Sequence, residues 1–137
     1  MPSAREHLSA AAVNGRVYVI GGRWQSRGNV GTVEEYDPET DTWRGRASLP
    51  TARGGLTAAA VDGRIHVVGG EAFGPDRTFG EHEVYDPAAD SWESAPPMPV
   101  ARHGLASAGL DGRFYAIAGG RTAGLSVSDI TDVFVPE

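Results

Sequence analysis

The chain has no cysteine and no lysine, only two methionines, and no apolar run long enough to span a bilayer. Without cysteine there can be no disulfide, no thiolate nucleophile and no cysteine-ligated zinc. Without lysine, all twelve cations are arginines, planar and permanently charged. The opening residues Met-Pro-Ser-Ala-Arg-Glu-His lack the basic and apolar regions of a secretion signal, and neither Asn14 nor Asn29 sits in a glycosylation sequon. A cytoplasmic protein with no membrane partner is the expectation. The net charge of −6 is the opposite of what nucleic acid or anionic lipid requires of a partner.

What is present is repetition. Double glycines stand at Gly21-Gly22, Gly69-Gly70 and Gly119-Gly120, 48 and 50 residues apart. Each closes an apolar run that follows Asn14-Gly15, Asp62-Gly63 or Asp111-Gly112, dipeptides suited to type I′ hairpins. The same period carries Arg5, Arg53 and Arg102; Tyr36, Tyr85 and Phe134; Asp37-Pro38 and Asp86-Pro87; and Trp43 and Trp92. Each repeat reads as a four-stranded antiparallel meander. A small-residue first strand (8–13, 56–61, 105–110) leads through the hairpin to a second strand (17–20, 65–68, 114–118). A variable loop follows, then a third strand ending in the repeated aromatic, then an Asp-Pro turn into a strand carrying the tryptophan. The third repeat, at Phe134-Val135-Pro136-Glu137, shows no tryptophan strand, so eleven strands are expected. Short strands at a period near fifty predict an all-β fold of propeller blades. One domain is expected, with blades at about 4–50, 51–99 and 100–137.

The string Arg-x-x-small, Gly-Gly, Tyr-Asp-Pro, Trp and Pro-Met-Pro, in about three registered copies over nearly the whole chain, resembles the kelch repeat. Kelch propellers close with about five to seven blades, and three cannot close a ring. The resemblance therefore implies either a partial propeller cut from a longer kelch protein or half of a six-bladed ring completed by a homodimer.

The function it implies is that of a non-catalytic binding or assembly module for other proteins, with an acidic peptide or sugar acid as a candidate ligand at an arginine-rich rim. Arg5, Arg53 and Arg102 open the first strands, with His7 and His103 beside two of them. The loops between second and third strands share that face and bring Arg23, Trp24 and Arg27, then Phe73, Asp76, Arg77 and Phe79, then Arg121. Arginine forks beside aromatic rings suit a carboxylate. Glu34, Glu83 and Asp132 recur 49 residues apart, so internal ion pairing stands beside the ligand role for the three rim arginines. Arg16, Arg64 and Arg113 follow the hairpins on the opposite face and are expected to be solvated. Trp43, Trp92 and the Tyr36, Tyr85, Phe134 set are expected to pack between blades.

Galactose-oxidase-like chemistry needs a cysteine, and the Glu-x-x-x-Asp-x-x-x-His pattern of iron-dependent kelch specifier proteins is absent. No nucleophile elbow, phosphate loop or zinc-spaced histidine pair is present, so neither metal nor cofactor is expected. The enzymatic alternative is a sugar-acid mutarotase similar to kelch sialate epimerases. There Arg102 would hold the carboxylate while His103 and Glu71 exchange protons.

Overall fold

The computed structural model describes residues 1–25 and 28–137. The first sheet contains β1 (Ser9–Val13) and β2 (Arg16–Ile20); a short ribbon, β3 (Arg23–Trp24) with β4 (Gly28–Asn29), precedes β5 (Val33–Asp37) and β6 (Thr42–Arg46). The second repeats the plan with β7 (Thr57–Val61), β8 (Arg64–Val68), the ribbon β9 (Glu71–Ala72) and β10 (Arg77–Thr78), then β11 (His82–Asp86) and β12 (Ser91–Ala95). The third holds β13 (Ala106–Leu110), β14 (Arg113–Ile117) and β15 (Thr131–Phe134). Pairing is antiparallel throughout, in the orders β1-β2-β5-β6, β7-β8-β11-β12 and β13-β14-β15. These are all-β propeller blades in four, four and three strands. The ribbons β3-β4 and β9-β10 lie in what reads from sequence as variable loop, because two-residue strands leave no periodic signal. No helix among the described residues is long and apolar enough to cross a membrane.

Local chemistry explains the hairpins. Asn14, Asp62 and Asp111 have φ of 52°, 49° and 49°, and the glycines after them have φ of 72°, 79° and 69°. Left-handed geometry at both central residues defines the type I′ turn, whose twist matches the flanking strands. Small residues suit the first strands because these strands lie side by side: β7 packs against both β1 and β13. A Cβ on Gly109 would lie 1.9 Å from the Ala60 carbonyl oxygen, so this approach tolerates no side chain there.

The core lies between sheets rather than within one. Val13, Tyr18, Ile20 and Val33 of the first sheet pack on Ile65, Val67 and Tyr85 of the second, with Leu49 and Leu56 sealing the same layer. Val61 and Val68 pack likewise on Leu105, Phe114 and Ala116 of the third. Trp92 joins the first interface as expected, donating its indole N–H to the Ala47 carbonyl at 2.8 Å. Both tryptophans also lie tilted against the aromatic ring of their own sheet, Trp43 on Tyr36 at 4.9 Å and Trp92 on Tyr85 at 5.0 Å between ring centres, but Trp43 belongs to neither inter-sheet layer.

One feature of the register differs from the sequence reading. The isolated bridges Glu6–Arg23, Gly54–Glu71 and His103–Gly120 align Gly120 with Arg23 and Glu71. The third Gly-Gly is therefore displaced by one residue, and Ala118, at φ 60°, stands where Gly21 and Gly69 stand, at φ 63° and 72°. The doublet alone could not show this, since Ala-Gly-Gly offers two ways to align it.

Tyr85 is fully buried at the centre of the first interface, 5.6 Å from the Tyr18 ring. Replacing it with alanine leaves a large cavity, and chemical denaturation of Tyr85→Ala is expected to show a loss of about 3–5 kcal/mol.

Candidate functional site

The three rim arginines occupy equivalent and buried positions. Arg53 gives Nε to the Gly69 carbonyl at 2.8 Å, Nη1 to the Thr51 carbonyl at 2.9 Å and to Glu83, and Nη2 to the carbonyls of Val67 and Glu81. Arg5 repeats this with Gly21, Ser3, Glu34 and Val19. Arg102 bonds Asp132 at 2.7 Å and Ala116 at 3.3 Å. The side chains of Arg53 and Arg102 are 0% exposed. Burial pulls the Arg53 guanidinium below its ordinary value, and the Glu83 carboxylate works against that pull. Burial likewise opposes ionisation of Glu34, but hydrogen bonds from Arg5 and Ser3 hold its carboxyl below the usual range.

At the neighbouring position the repeats diverge, and a mixed polar cluster forms. Arg23 donates to Glu71 Oε1 at 2.7 Å across the first and second sheets. Glu71 Oε2 accepts the Gly124 N–H at 2.8 Å and lies 3.3 Å from His103 Nδ1. His103 Nε2 donates to the Thr122 carbonyl at 2.9 Å, and Asn29 donates to the Glu71 carbonyl at 2.8 Å. Burial alone would raise the Glu71 pKa, yet the Gly124 N–H, Arg23 and His103 together lower it. One carboxylate thus ties the loops of all three sheets into a single surface. Thr78 adds a second tie, to the Arg121 carbonyl at 3.1 Å.

That surface displays the loop residues. Trp24, Phe73, Leu125 and Val127 are exposed. The Arg23 guanidinium lies over the Phe73 ring at 5.1 Å, and Arg77 over Phe79 at 4.3 Å with an ion pair to Glu81. Arg77 and Arg121 are exposed, as is Asp76, while Phe79 is buried. His7 is exposed at the rim near Glu6. Arg27 lies outside the described residues. His103 and Glu71 meet as the mutarotase reading requires, but the arginine that joins them is Arg23; Arg102 is committed to Asp132. On the opposite face Arg16 pairs with Asp37 at 3.0 Å and Arg64 with Glu93 at 2.5 Å, so these two are paired as well as solvated. Among the described residues no group of three or more acidic or histidine side chains is placed to hold a metal ion.

A second cluster was not legible from spacing. His66 on β8 and His82 on β11 sit on adjacent strands, with Nδ1 and Nε2 2.9 Å apart. The Pro96 carbonyl accepts from His82 Nδ1, so His66 Nδ1 must be the donor between the rings. Both rings pack on Phe114 and Phe134, forming part of the second inter-sheet layer. Burial, then His82, lowers the His66 pKa to about 4 from an ordinary 6.5.

Two outcomes follow. Arg53→Met strands the Glu83 carboxylate in the interior, and an equilibrium unfolding titration is expected to lose about 3–5 kcal/mol. For His66 the folded-state pKa lies below the unfolded one, so acid protonates the unfolded chain first. Unfolding free energy is expected to stay flat above about pH 6.5 and to fall by about 3 kcal/mol towards pH 4, and His66→Gln should shrink that fall.

The kelch motif matches the chain twice, over residues 4–50 and 52–99, which is more than half its length. The chain is 44% identical over 50 residues to beta-scruin of Limulus polyphemus, a match covering 36% of this chain and 5% of that protein. It is 46% identical over 46 residues to an F-box/kelch-repeat protein of Arabidopsis thaliana, covering 34% of this chain and 12% of that one. The chain thus spans a small fraction of either relative. Twice-matched motif, repeated rim arginine and stacked four-stranded meanders agree, and the chain belongs to the kelch-repeat family.

Proposed function

We propose that this chain is a non-catalytic binding and assembly module, a single domain with blades at about 4–50, 51–99 and 100–137, working in the cytoplasm. Kelch repeats generally mediate protein–protein interaction. The observation that carries the reading is the loop face, where Trp24, Phe73, Leu125 and Val127 stand exposed on loops tied together through Glu71. Exposed aromatic and aliphatic side chains beside arginine have the composition of interface hot spots, and the rigid meanders beneath reduce the entropy lost on binding.

An acidic segment of the partner is best met at Arg77 and Arg121, which are exposed on the loops. At Arg5, Arg53 and Arg102 an external carboxylate would have to displace Glu34, Glu83 or Asp132. Those three arginines enter the reading as the frame that holds the loops. Assembly is the second half of the reading: two copies associate through blade faces.

The Glu71–His103 contact is the one observation that favours the mutarotase alternative. Against it, both carboxylate oxygens and the imidazole Nε2 already have internal partners. Measuring anomer exchange of a sugar acid by NMR decides this; acceleration that is lost in His103→Ala would overturn the binding-only reading.

The binding reading is tested by selecting ligands from a displayed random-peptide library. Selected peptides should lose at least about tenfold in affinity on Phe73→Ala or Arg121→Ala. They should be unaffected by Arg113→Ala on the opposite face. Peptides indifferent to all three variants would overturn it.

A further inference from the structure

We propose that the outer face of the third sheet docks the first sheet of a second copy of this chain, head to tail, so that two copies build one six-bladed ring. The proposal rests on the assembly half of the reading above and names its partner and contacts.

The chain uses one interface twice. The face of the first sheet that carries Val13 and Ile20 is covered by the face of the second that carries Ile65 and Val67. The second sheet then turns Val61 and Val68 onto Phe114 and Ala116 of the third. By register, Leu110, Ile117 and Val133 are the third sheet's counterparts of Val61, Val68 and Val84. They are 59%, 39% and 49% exposed, against 5%, 1% and 4%. The covering half is displayed at the other end, where Ala10 and Ala12 of β1 are exposed although their counterparts Ala58 and Ala60 are not. One molecule therefore presents both halves of a contact it already makes internally, a heterologous arrangement that either closes into a ring or polymerises.

Backbone groups continue the pattern. Gly22 N–H donates to the Arg53 carbonyl at 3.0 Å and Gly70 N–H to the Arg102 carbonyl at 2.9 Å. Gly55 N–H donates to the His7 carbonyl and Gly104 N–H to the Gly55 carbonyl, both at 2.8 Å. The next rungs would run from Gly119 N–H to Arg5 of the second copy, and from the second copy's His7 N–H to the Gly104 carbonyl. Propeller rings hold typically about four to eight blades, and of the multiples of three only two copies fall within that range.

Ala118 sets the strength. A Cβ built on Gly21 or Gly69 would lie 2.9 or 2.5 Å from the carbonyl oxygen of Arg53 or Arg102 in the following sheet. Ala118 carries that Cβ, so the docked copy must sit back at this point, and the dimer dissociates on dilution rather than being permanent.

Sedimentation velocity over a micromolar-to-millimolar dilution series tests this. The expected result is a reversible species of twice 14.4 kDa. Val133→Glu and Ala10→Glu, both at exposed positions, should each weaken it at least tenfold with unchanged circular dichroism. Mixing the two variants should restore a dimer, since each keeps one intact face. Ala118→Gly should tighten association severalfold. A monomer throughout the series, a mixture that does not associate, or an Ala118→Gly variant no tighter than the parent overturns the proposal. Phe73→Ala, which tests the loop face, should leave the dimer unchanged, so the two readings fail separately.

Discussion

The arginine at the entry of each sheet is the contact on which the rest of the structure depends. In the second repeat one guanidinium reaches the Gly69 corner, the Val67 carbonyl of β8, the Glu81 carbonyl just before β11 and the Glu83 carboxylate at once. Its charge is taken out of water, which is tolerable only because nearly every donor finds an acceptor. The result fixes the entry segment, β8 and β11 relative to one another. Arg5 does the same for the first sheet. In the third, where Ala118 displaces the glycine corner, Arg102 Nε is left buried without a hydrogen-bond partner.

With each blade held in this way, the apolar faces can stack. Stability resides between sheets, so an end sheet is incomplete by construction: it has one covered face and one open one. The two layers are not chemically alike. The first carries polar links at its outer edge, with Arg46 donating to Tyr85 and Pro87 and Asp90 accepting from Ala47 and Tyr85. In the second, Ala95, Pro96 and Phe134 replace Arg46, Ala47 and Tyr85, and an apolar cleft of about 180 Å³ lined by Met98, Phe114 and Phe134 takes the place of those links. The buried His66–His82 pair borders this layer, which is why acid should loosen the second interface before the first.

Divergence between repeats is where specificity enters. Position 23 in the first repeat is arginine, its counterpart is Glu71 in the second and Gly120 in the third. An arginine and a glutamate on adjacent blades form a salt bridge, and the glycine leaves room for Ser126 and for the His103 ring that faces the same carboxylate. A strict repeat could not make this junction, because identical side chains would repel or fail to pair.

Sequence alone determined the eleven blade strands, the hairpins and the rim pairing positions, but not the two short ribbons, because the former are local or periodic. Asn-Gly and Asp-Gly dictate their turns within two residues, and acids 49 residues apart keep step with arginines at nearly the same spacing. Tertiary structure decided what periodicity cannot carry. It paired His66 with His82, set Arg23 rather than Arg102 beside Glu71 and His103, and moved the third glycine doublet out of step by one residue. The histidine pair meets across two strands of one sheet that a variable loop separates in sequence, and the Glu71 contacts arise where one sheet's loop meets the next, so neither follows from the repeat period.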